Sequence, residues 1–280
     1  TMARTAKRAV DAAGIEKRVL AVDAVDVSFL EADGIETYRC DLLDLDQVAD
    51  LPRVKNIVYM IGRKFGSTGA ESLTWGINCI VAYHAARAFQ GCRIAGFSTG
   101  CVYPVMHINS GGATEYTPPA PVGEYAQSCL GRERMWDFYA DKGLLDVIHI
   151  RLNYAVECRY GVLHDIASKV WSGAAVDLTT GYANVIWQGD ACCQILQALP
   201  LASHPASTLN ITGPETFSIR QVATQFGRLM GKEPCFTGTE NGRGYLSNAA
   251  KANGLFGNPR VPLQKIVDYT AHWVMSGGEA

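Results

Sequence analysis

The sequence predicts an α/β fold in which a doubly wound parallel sheet is followed by a small C-terminal α+β lobe. Over the first 151 residues, short apolar runs typical of buried parallel strands alternate with helical segments. Beyond that point the strand candidates become shorter and are mixed with helices. Alternating strands and helices build βαβ units, whose strands pair in parallel. We therefore expect domains at 1–156 and 157–280, with some segments of the second returning to the sheet.

Five strands are expected in the first domain. Each is a short apolar run that ends at a polar or turn residue, as in strands buried on both faces. They cover 18–23, 35–41, 55–61, 92–98 and 145–151. An Ala-rich helix that ends at Gly14 opens the chain, and apolar periodicity predicts helices over 44–51, 71–90 and 124–142.

The second domain combines helices with short strands. A Gly- and Pro-rich loop at 104–123 precedes it. Strands are expected at 176–178, 184–187 and 208–212, and helices at 160–173, 190–199, 218–230 and 263–275. Open parallel sheets bind ligands at the carboxyl ends of their strands. We therefore expect the lobe to cover that edge and to form a ligand crevice there.

Composition excludes several classes of function. The 280 residues include 25 Lys and Arg against 27 Asp and Glu, a net charge of −2, without the basic surplus that nucleic-acid binding needs. No apolar run approaches the roughly 20 residues of a membrane span, so no membrane partner is expected. The nine cysteines contain no C-x-x-C pair, so neither a metal site nor a disulfide framework is predicted. Reduced thiols indicate a cytoplasmic protein.

Asp23 is the first candidate binding residue, because it ends the first predicted strand. In dinucleotide-binding folds, an acidic residue about 20 positions after a glycine-rich turn binds the adenosine ribose. The chain contains no G-x-x-G-x-x-G, and counting back from Asp23 places that turn before Thr1. We therefore expect a strand and a glycine turn upstream of Thr1. A carboxylate here would favour NAD over NADP by repelling a 2′-phosphate. The alternative for Asp23 is an ordinary acidic residue at a strand end.

A family pattern is carried by three segments: GFSTGCVYP at 96–104, GEYAQSCLGRER at 123–134 and RLNYAV at 151–156. Shorter pieces follow the same pattern at 40–44, 59–64, 212–223 and 247–263. Together they resemble the extended short-chain dehydrogenases, the NAD-dependent epimerase/dehydratase family that acts on sugars and sugar nucleotides. The resemblance implies a Rossmann-like fold, NAD as cofactor, a sugar-type substrate bound by the C-terminal lobe, and a homodimer.

The resemblance implies that Thr99 and Tyr125 are catalytic. Thr99 lies where the family has a Ser or Thr whose hydroxyl hydrogen-bonds the substrate oxygen. Tyr125 lies at the position of the family's tyrosine, whose phenol contacts the nicotinamide end of the cofactor. It is the acid or base for hydride transfer at a carbinol. The alternative for Tyr125 is an ordinary tyrosine at the start of a helix.

Cys129 departs from the family pattern, which is Tyr-x-x-x-Lys. A thiol supplies neither a fixed charge nor a strong donor, and a phenol with a pKa near 10 is a poor base at neutral pH. Three hypotheses stay open. In the first, a cation from elsewhere in the sequence takes the place of the family lysine, with Lys64 favoured over Arg132. In the second, other groups catalyse a slower reaction. In the third, the protein binds a dinucleotide without catalysis. A nucleophilic Cys129 is disfavoured, because nothing in the sequence lowers its pKa.

The remaining candidates follow the resemblance by position. The cofactor contacts are expected to be Asp41 and Leu42 at the adenine, Met60, Ile61, Gly62 and Lys64 towards the ribose and pyrophosphate, Asn78 beside the sheet, and Asn153 or Tyr154 at the nicotinamide. The substrate candidates are Arg159, His164, Trp187 and Gln188, with a surface arginine and a structural histidine as alternatives. The dimer is expected to form through helices 71–90 and 124–142, the second of which carries Leu130, Met135, Trp136, Phe138 and Tyr139.

Overall fold

A computed structural model describes residues 1–64 and 68–278 of the chain. Its α-helices are, in chain order, α1 (Met2–Ala12), α2 (Leu45–Ala49), α3 (Glu71–Trp75), α4 (Val81–Ala88), α5 (Gly123–Ala140), α6 (Val162–Ser172), α7 (Gln188–Ala198), α8 (Ile219–Met230), α9 (Ala250–Phe256) and α10 (Leu263–Met275).

The strands are short and are distributed along the whole chain. They are β1 (Leu20–Asp23), β2 (Glu36–Arg39), β3 (Asn56–Tyr59), β4 (Arg93–Thr99), β5 (Met106–His107), β6 (Asp146–Leu152), β7 (Ala155–Val156), β8 (Val176–Asp177), β9 (Tyr182–Asn184), β10 (Ile186–Trp187), β11 (Ser207–Ile211), β12 (Thr216–Ser218), β13 (Phe236–Thr237) and β14 (Arg243–Tyr245).

The predicted α/β architecture with a parallel sheet is confirmed. Strand β1 pairs in parallel with β2, and β3 pairs in parallel with β4. A four-stranded sheet has the order β11-β6-β4-β3, and a second one has the order β12-β9-β14-β5. Strands β5, β7, β12, β13 and β14 were not predicted. Each has only two or three residues and is defined by its pairing partner rather than by an apolar pattern of its own.

The helix predicted over 71–90 is interrupted. It consists of α3, a π-helical segment at Gly76–Ile80, and α4. Periodicity does not reveal such a segment, because the apolar face continues through it. π-helical turns are rare and occur often at functional positions. The segment contains Asn78, which is fully buried.

The described residues divide into two compact units. Unit 1 consists of 1–98, 122–150 and 192–208, and unit 2 of 99–121, 151–191 and 209–280. Each unit therefore combines segments that are distant in sequence.

Each unit has its own apolar core. In unit 1, fully buried Trp136 donates its indole N–H to the Ala82 carbonyl at 3.2 Å and meets the Tyr59 ring edge-on at 4.9 Å. In unit 2, helices α6, α8 and α10 pack around Leu163, Phe226 and Val267. None of the helices in the described part of the chain is long and apolar enough to cross a bilayer.

Candidate functional site

A buried polar network in unit 1 connects the end of β3 to α5. The amide oxygen of Asn78 accepts hydrogen bonds from the backbone N–H of Arg63 at 2.9 Å and from Nη2 of Arg132 at 2.5 Å. Its amide nitrogen donates to Ser128 Oγ at 2.8 Å, and Ser128 Oγ donates to the backbone carbonyl of Tyr125 at 2.9 Å. The network fixes the first turns of α5 against the loop that follows β3.

The guanidinium of Arg132 is the charged centre of this network. Arg132 is only 4% exposed. Besides its bond to the Asn78 side chain, Nε donates to the Asn78 carbonyl at 3.2 Å and Nη1 donates to the Phe97 carbonyl at 2.8 Å. All three acceptors are neutral oxygens, and within residues 1–64 and 68–278 no carboxylate forms an ion pair with Arg132. Burying a charge without a counter-charge costs free energy, which hydrogen bonds offset only in part.

The guanidinium lies directly against the backbone at Gly62. A Cβ at this position would overlap Arg132 Nη2 and lie 2.9 Å from the Asn78 amide oxygen. Only glycine therefore allows the chain after β3 to pass so close to the charge. Gly62 itself is exposed, so a ligand above it would be separated from the guanidinium by one layer of backbone.

Tyr125 and Cys129 share the face of α5 that leads to Arg132. Tyr125 lies half-buried in the first turn, and Cys129 is 1% exposed one turn later. Spacings of four and seven residues place side chains on one face of a helix. Helix α5 therefore presents a phenol, a thiol and a guanidinium in that order.

The acidic candidates for adenosine binding lie at the carboxyl ends of β1 and β2. Asp23 is exposed, and its Oδ1 accepts a hydrogen bond from Val25 N at 3.2 Å. Asp41 accepts from Leu43 N at 3.0 Å. Leu42 is buried, and its carbonyl bonds His84 at 2.8 Å. Because β1 and β2 are parallel, Asp23 and Asp41 lie at the same edge of this sheet.

The residues after β3 are mostly accessible. Met60 is 48% exposed, Ile61 packs against the unit 1 core, and Lys64 is exposed. Lys64 is the last described residue before the gap at 65–67.

Thr99 and Asn153 adjoin each other in unit 2 through Gly100. Thr99 is 7% exposed, and its hydroxyl oxygen accepts from Cys101 N at 3.2 Å, which caps the short turn Gly100–Val102. A Cβ on Gly100 would lie 2.8 Å from the Asn153 amide oxygen. The Asn153 amide nitrogen donates to Asn184 Oδ1 at 2.6 Å and to a backbone carbonyl of β14 at 3.0 Å.

Tyr154 has an unusual backbone and an unusual environment. Its φ of 43° is the only positive value for a non-glycine residue among those described, and such strain occurs often at functional sites. Burial strongly raises the pKa of the Tyr154 phenol, and the acidic side chains of Cys101 and Tyr245 raise it further. Tyr154 therefore stays protonated at neutral pH. Cys101 and Tyr245 were not predicted, since single residues of these types carry no spacing signal.

A second unpredicted network in unit 2 surrounds Tyr103. Arg151 donates to the Tyr103 hydroxyl at 3.0 Å, which in turn donates to Asn210 Oδ1 at 2.8 Å. Glu115 accepts from the backbone N–H of Asn210 at 2.9 Å. Burial raises the pKa of Tyr103 in spite of Arg151. These bonds join the loop after β4 to β11, which indicates a structural role.

The predicted substrate residues have different surroundings. His164 is buried, with Nδ1 bonded to the Cys158 carbonyl at 2.8 Å and Nε2 to Ser168 Oγ at 3.2 Å, which fits its structural alternative. Arg159 is exposed and pairs with Glu157 at 3.0 Å. Trp187 and Gln188 are half-buried at the junction of β10 and α7.

In residues 1–64 and 68–278, no group of three or more His, Cys, Asp or Glu could hold a metal ion.

Comparisons with known proteins identify the family and the fold of the chain. Residues 3–175 match the model of the NAD dependent epimerase/dehydratase family. No curated protein matches the chain. Many solved structures do, and three illustrate the likeness. The UDP-glucose 4-epimerase of Thermotoga maritima, solved with UDP-glucose, is 16% identical with a TM-score of 0.77 over 99% of this chain and 96% of that one.

The two other structures come from different bacteria. The UDP-glucose 4-epimerase of Thermus thermophilus in complex with NAD is 19% identical, with a TM-score of 0.77 over 97% of this chain and 95% of that one. The dTDP-glucose 4,6-dehydratase DesIV of Streptomyces venezuelae, with NAD bound, is 20% identical, with a TM-score of 0.78 over 97% and 93%. At these identities the likeness establishes the fold.

Proposed function

Because the chain belongs to the NAD-dependent epimerase/dehydratase family, we propose that it catalyses hydride transfer at a carbinol of a sugar, uronate or sugar nucleotide. The reaction class is an epimerisation, a dehydration or a dehydrogenation, all of which begin with removal of a hydride. The supporting observation is the network of Asn78, Ser128 and Arg132, which fixes the start of α5, and with it Tyr125, next to the end of β3.

The residues of unit 1 fit a dinucleotide. Oδ1 of Asp23 is engaged with the backbone, and the second carboxylate oxygen has no partner among the described residues, so it can accept from ribose hydroxyls. Its charge would repel a 2′-phosphate, which favours NAD over NADP. Asp41 and Leu42 are proposed at the adenine, and Met60, Ile61, Gly62 and Lys64 along the ribose and pyrophosphate. NAD, when bound, supplies the acceptor for the hydride.

Tyr125 is the proposed acid or base. Its phenolate takes the proton of the carbinol hydroxyl while the C–H hydrogen leaves as hydride. Thr99 lies at the position of the family's Ser or Thr and is proposed to hydrogen-bond a substrate oxygen. Burial raises the pKa of the Cys101 thiol, and a hydrogen bond with the Thr99 hydroxyl lowers it. Because sulfur is a weak acceptor, Thr99 can exchange its hydrogen bond with Cys101 for one to a substrate oxygen at a small cost in free energy.

The other proposed roles follow from the environment of each group. Tyr154, whose phenol stays protonated, can only donate a hydrogen bond, and with Asn153 it is proposed at the nicotinamide end. Arg159, Trp187 and Gln188 are proposed to contact the substrate, which for several structural neighbours is a UDP- or dTDP-linked sugar. His164, with both ring nitrogens engaged, is proposed to support that contact rather than make it.

We also propose a cytoplasmic homodimer. All nine cysteines are free thiols, which fits a reducing compartment. The predicted dimer face is smaller than the sequence indicates, because Trp136 and Tyr139 are buried in the core of unit 1. Phe138 on α5 and Leu73 and Ile80 on the preceding helical run remain exposed and would form the contact.

A second candidate function is dinucleotide binding without catalysis. The observation that favours it is Cys129, a buried thiol at the position where the family has its lysine. One experiment separates the two functions. The purified protein is incubated with NAD and a panel of UDP- and dTDP-sugars and uronates, with absorbance at 340 nm and product chromatography as readouts. Conversion by the wild type and its loss in Tyr125→Phe support catalysis, whereas NAD binding without conversion supports the second function.

A further inference from the structure

The inference concerns Arg132 and rests on the proposed function. Its guanidinium is buried, bonds three neutral oxygens and has no carboxylate partner among the described residues. A positive charge kept in this state favours any anion that forms nearby, because the protein interior screens charges less than water does. We propose that Arg132 is a positioning residue that stabilises the phenolate of Tyr125 and fixes the turn of α5 that carries it.

The geometry connects the two residues along α5. Seven residues correspond to a rise of about 10 Å on the same face of the helix. Arginine side chains on a helix extend towards its N-terminus, which shortens this separation. Hydrogen bonds then lead from Arg132 through Asn78 and Ser128 to the backbone carbonyl of Tyr125.

Arg132 already acts on two other acidic side chains. Burial raises the pKa of Tyr59 and of the Cys79 thiol, and in both cases the charge of Arg132 opposes this rise. Burial prevails over this charge at Tyr59, which is 3% exposed, and also at half-buried Cys79. Tyr125 is more exposed than Tyr59, so the same charge acts on a phenol that is less enclosed than the phenol of Tyr59.

Other ionisable groups on and around α5 belong to the same electrostatic environment. Glu124, near Tyr125, accepts from the indole N–H of Trp75, and fully buried Glu133 accepts from Ser98. Further titratable or charged side chains on α5 and on the segments packed against it are Tyr59, Arg63, Lys64, Glu71, Cys79, Tyr83, His84, Arg87, Cys129, Arg134, Asp137, Tyr139 and His149.

Arg132 and Lys64 differ in a way that favours the arginine. Lys64 is exposed, so water and salt screen its charge. Arg132 is enclosed, and its position is fixed by three hydrogen bonds. The family lysine is replaced by Cys129, and the structure supplies a guanidinium less than one turn further along the same helix face.

The first test measures Tyr125 without substrate or cofactor. Tyrosinate absorbance at 295 nm is titrated in each protein, and subtraction of the matching Tyr125→Phe variant isolates Tyr125. We expect Arg132→Gln to move the midpoint of Tyr125 at least one pH unit higher and Arg132→Lys to keep it near the wild-type value. The control is Arg134→Gln, which removes an exposed guanidinium two residues further along α5. Arg134 pairs with Asp137 at 2.7 Å, and its replacement should leave the midpoint unchanged.

A second variant tests the same inference if Arg132→Gln does not fold. Asn78→Asp is isosteric and places a carboxylate against the guanidinium, so the arginine stays in place while its charge is neutralised. The same upward shift is expected. A midpoint that stays within 0.3 pH units of wild type in Arg132→Gln or Asn78→Asp overturns the inference.

Turnover separates the inference from the proposed function. The ascending limb of the pH–rate profile, which reports deprotonation of Tyr125, should move to higher pH in Arg132→Gln and return in Arg132→Lys. If Tyr125→Phe is inactive while Arg132→Gln keeps the wild-type profile, the role of Arg132 is wrong and the proposed function stands. If Tyr125→Phe is fully active, the proposed function is wrong.

Discussion

Two tyrosines, one in each unit, have opposite electrostatic surroundings. Both side chains are half-buried. For Tyr154 in unit 2, desolvation, the Cys101 thiol and the Tyr245 phenol all raise the pKa, and among the described residues no cation acts on it. Tyr125 in unit 1 lies at the start of a helix that carries a buried guanidinium on the same face. The chemical role of a phenol therefore depends on the charges around it and not on residue type alone.

The largest expected effect comes from removing each hydroxyl in turn. Tyr125→Phe should lower turnover by about 10²–10⁴, the usual contribution of a general acid or base. Tyr154→Phe removes a donor that stays protonated, so a loss of about tenfold or less is expected. Initial rates with NAD and the best substrate of the panel measure both. Equal losses in the two variants would contradict the distinction between the tyrosines.

A smaller effect concerns the backbone that passes beside Arg132 in unit 1. Gly62→Ala places a Cβ onto the Arg132 guanidinium, and the strain should lower the free energy of unfolding by about 1–3 kcal/mol. Gly76→Ala is the matched control in the same unit, because a Cβ there meets open space and alanine is the better helix former. Urea denaturation measures both variants, and a Gly62→Ala protein as stable as wild type would show that Arg132 can move away.

The smallest expected effect is the pH dependence of a carboxylate in unit 1. Burial by itself would raise the pKa of Asp137, but hydrogen bonds from His149 at 2.7 Å and from Arg134 outweigh it and lower that pKa. The stabilisation by Asp137 is therefore complete above the unfolded pKa of about 3.9 and is lost as the pH falls through the lower folded pKa.

Asp137→Asn tests this sign. The variant should be less stable than wild type at pH 7 by about 1 kcal/mol, and the difference should shrink below about pH 4. Asp177→Asn in unit 2 is the control, since Asp177 is exposed and its pKa is lowered chiefly by hydrogen bonds from Thr179, with a smaller contribution from the charge of Lys169. Thermal unfolding between pH 3 and 7 provides the readout. A difference that grows towards low pH would contradict the assignment.

Much of the fold followed from local pattern. The apolar runs near 20–23, 56–59 and 93–99 form strands, because burial of apolar side chains is favourable and β-branched residues suit a sheet. Strand β4 is mostly buried, whereas β1 and β3 are only partly buried. The strands of unit 2 were harder to predict. For example, β14 has an interior glycine and exists because β9 and β5 pair with it on either side.

The class of fold, the family and the order of the motifs can be read from the amino-acid sequence, since each of these depends on residue types at fixed spacings. The sequence also showed that Cys129 replaces the lysine of the family. Only the tertiary structure decided which cation lies buried beside α5. In the sequence, Lys64 and Arg132 are both candidate cations. Burial and hydrogen-bond partners depend on packed neighbours, as does the lack of a carboxylate partner for Arg132 within residues 1–64 and 68–278. Gly62, Phe97 and Asn78 come from three separate segments, and their convergence on Arg132 is a long-range contact that no local pattern contains.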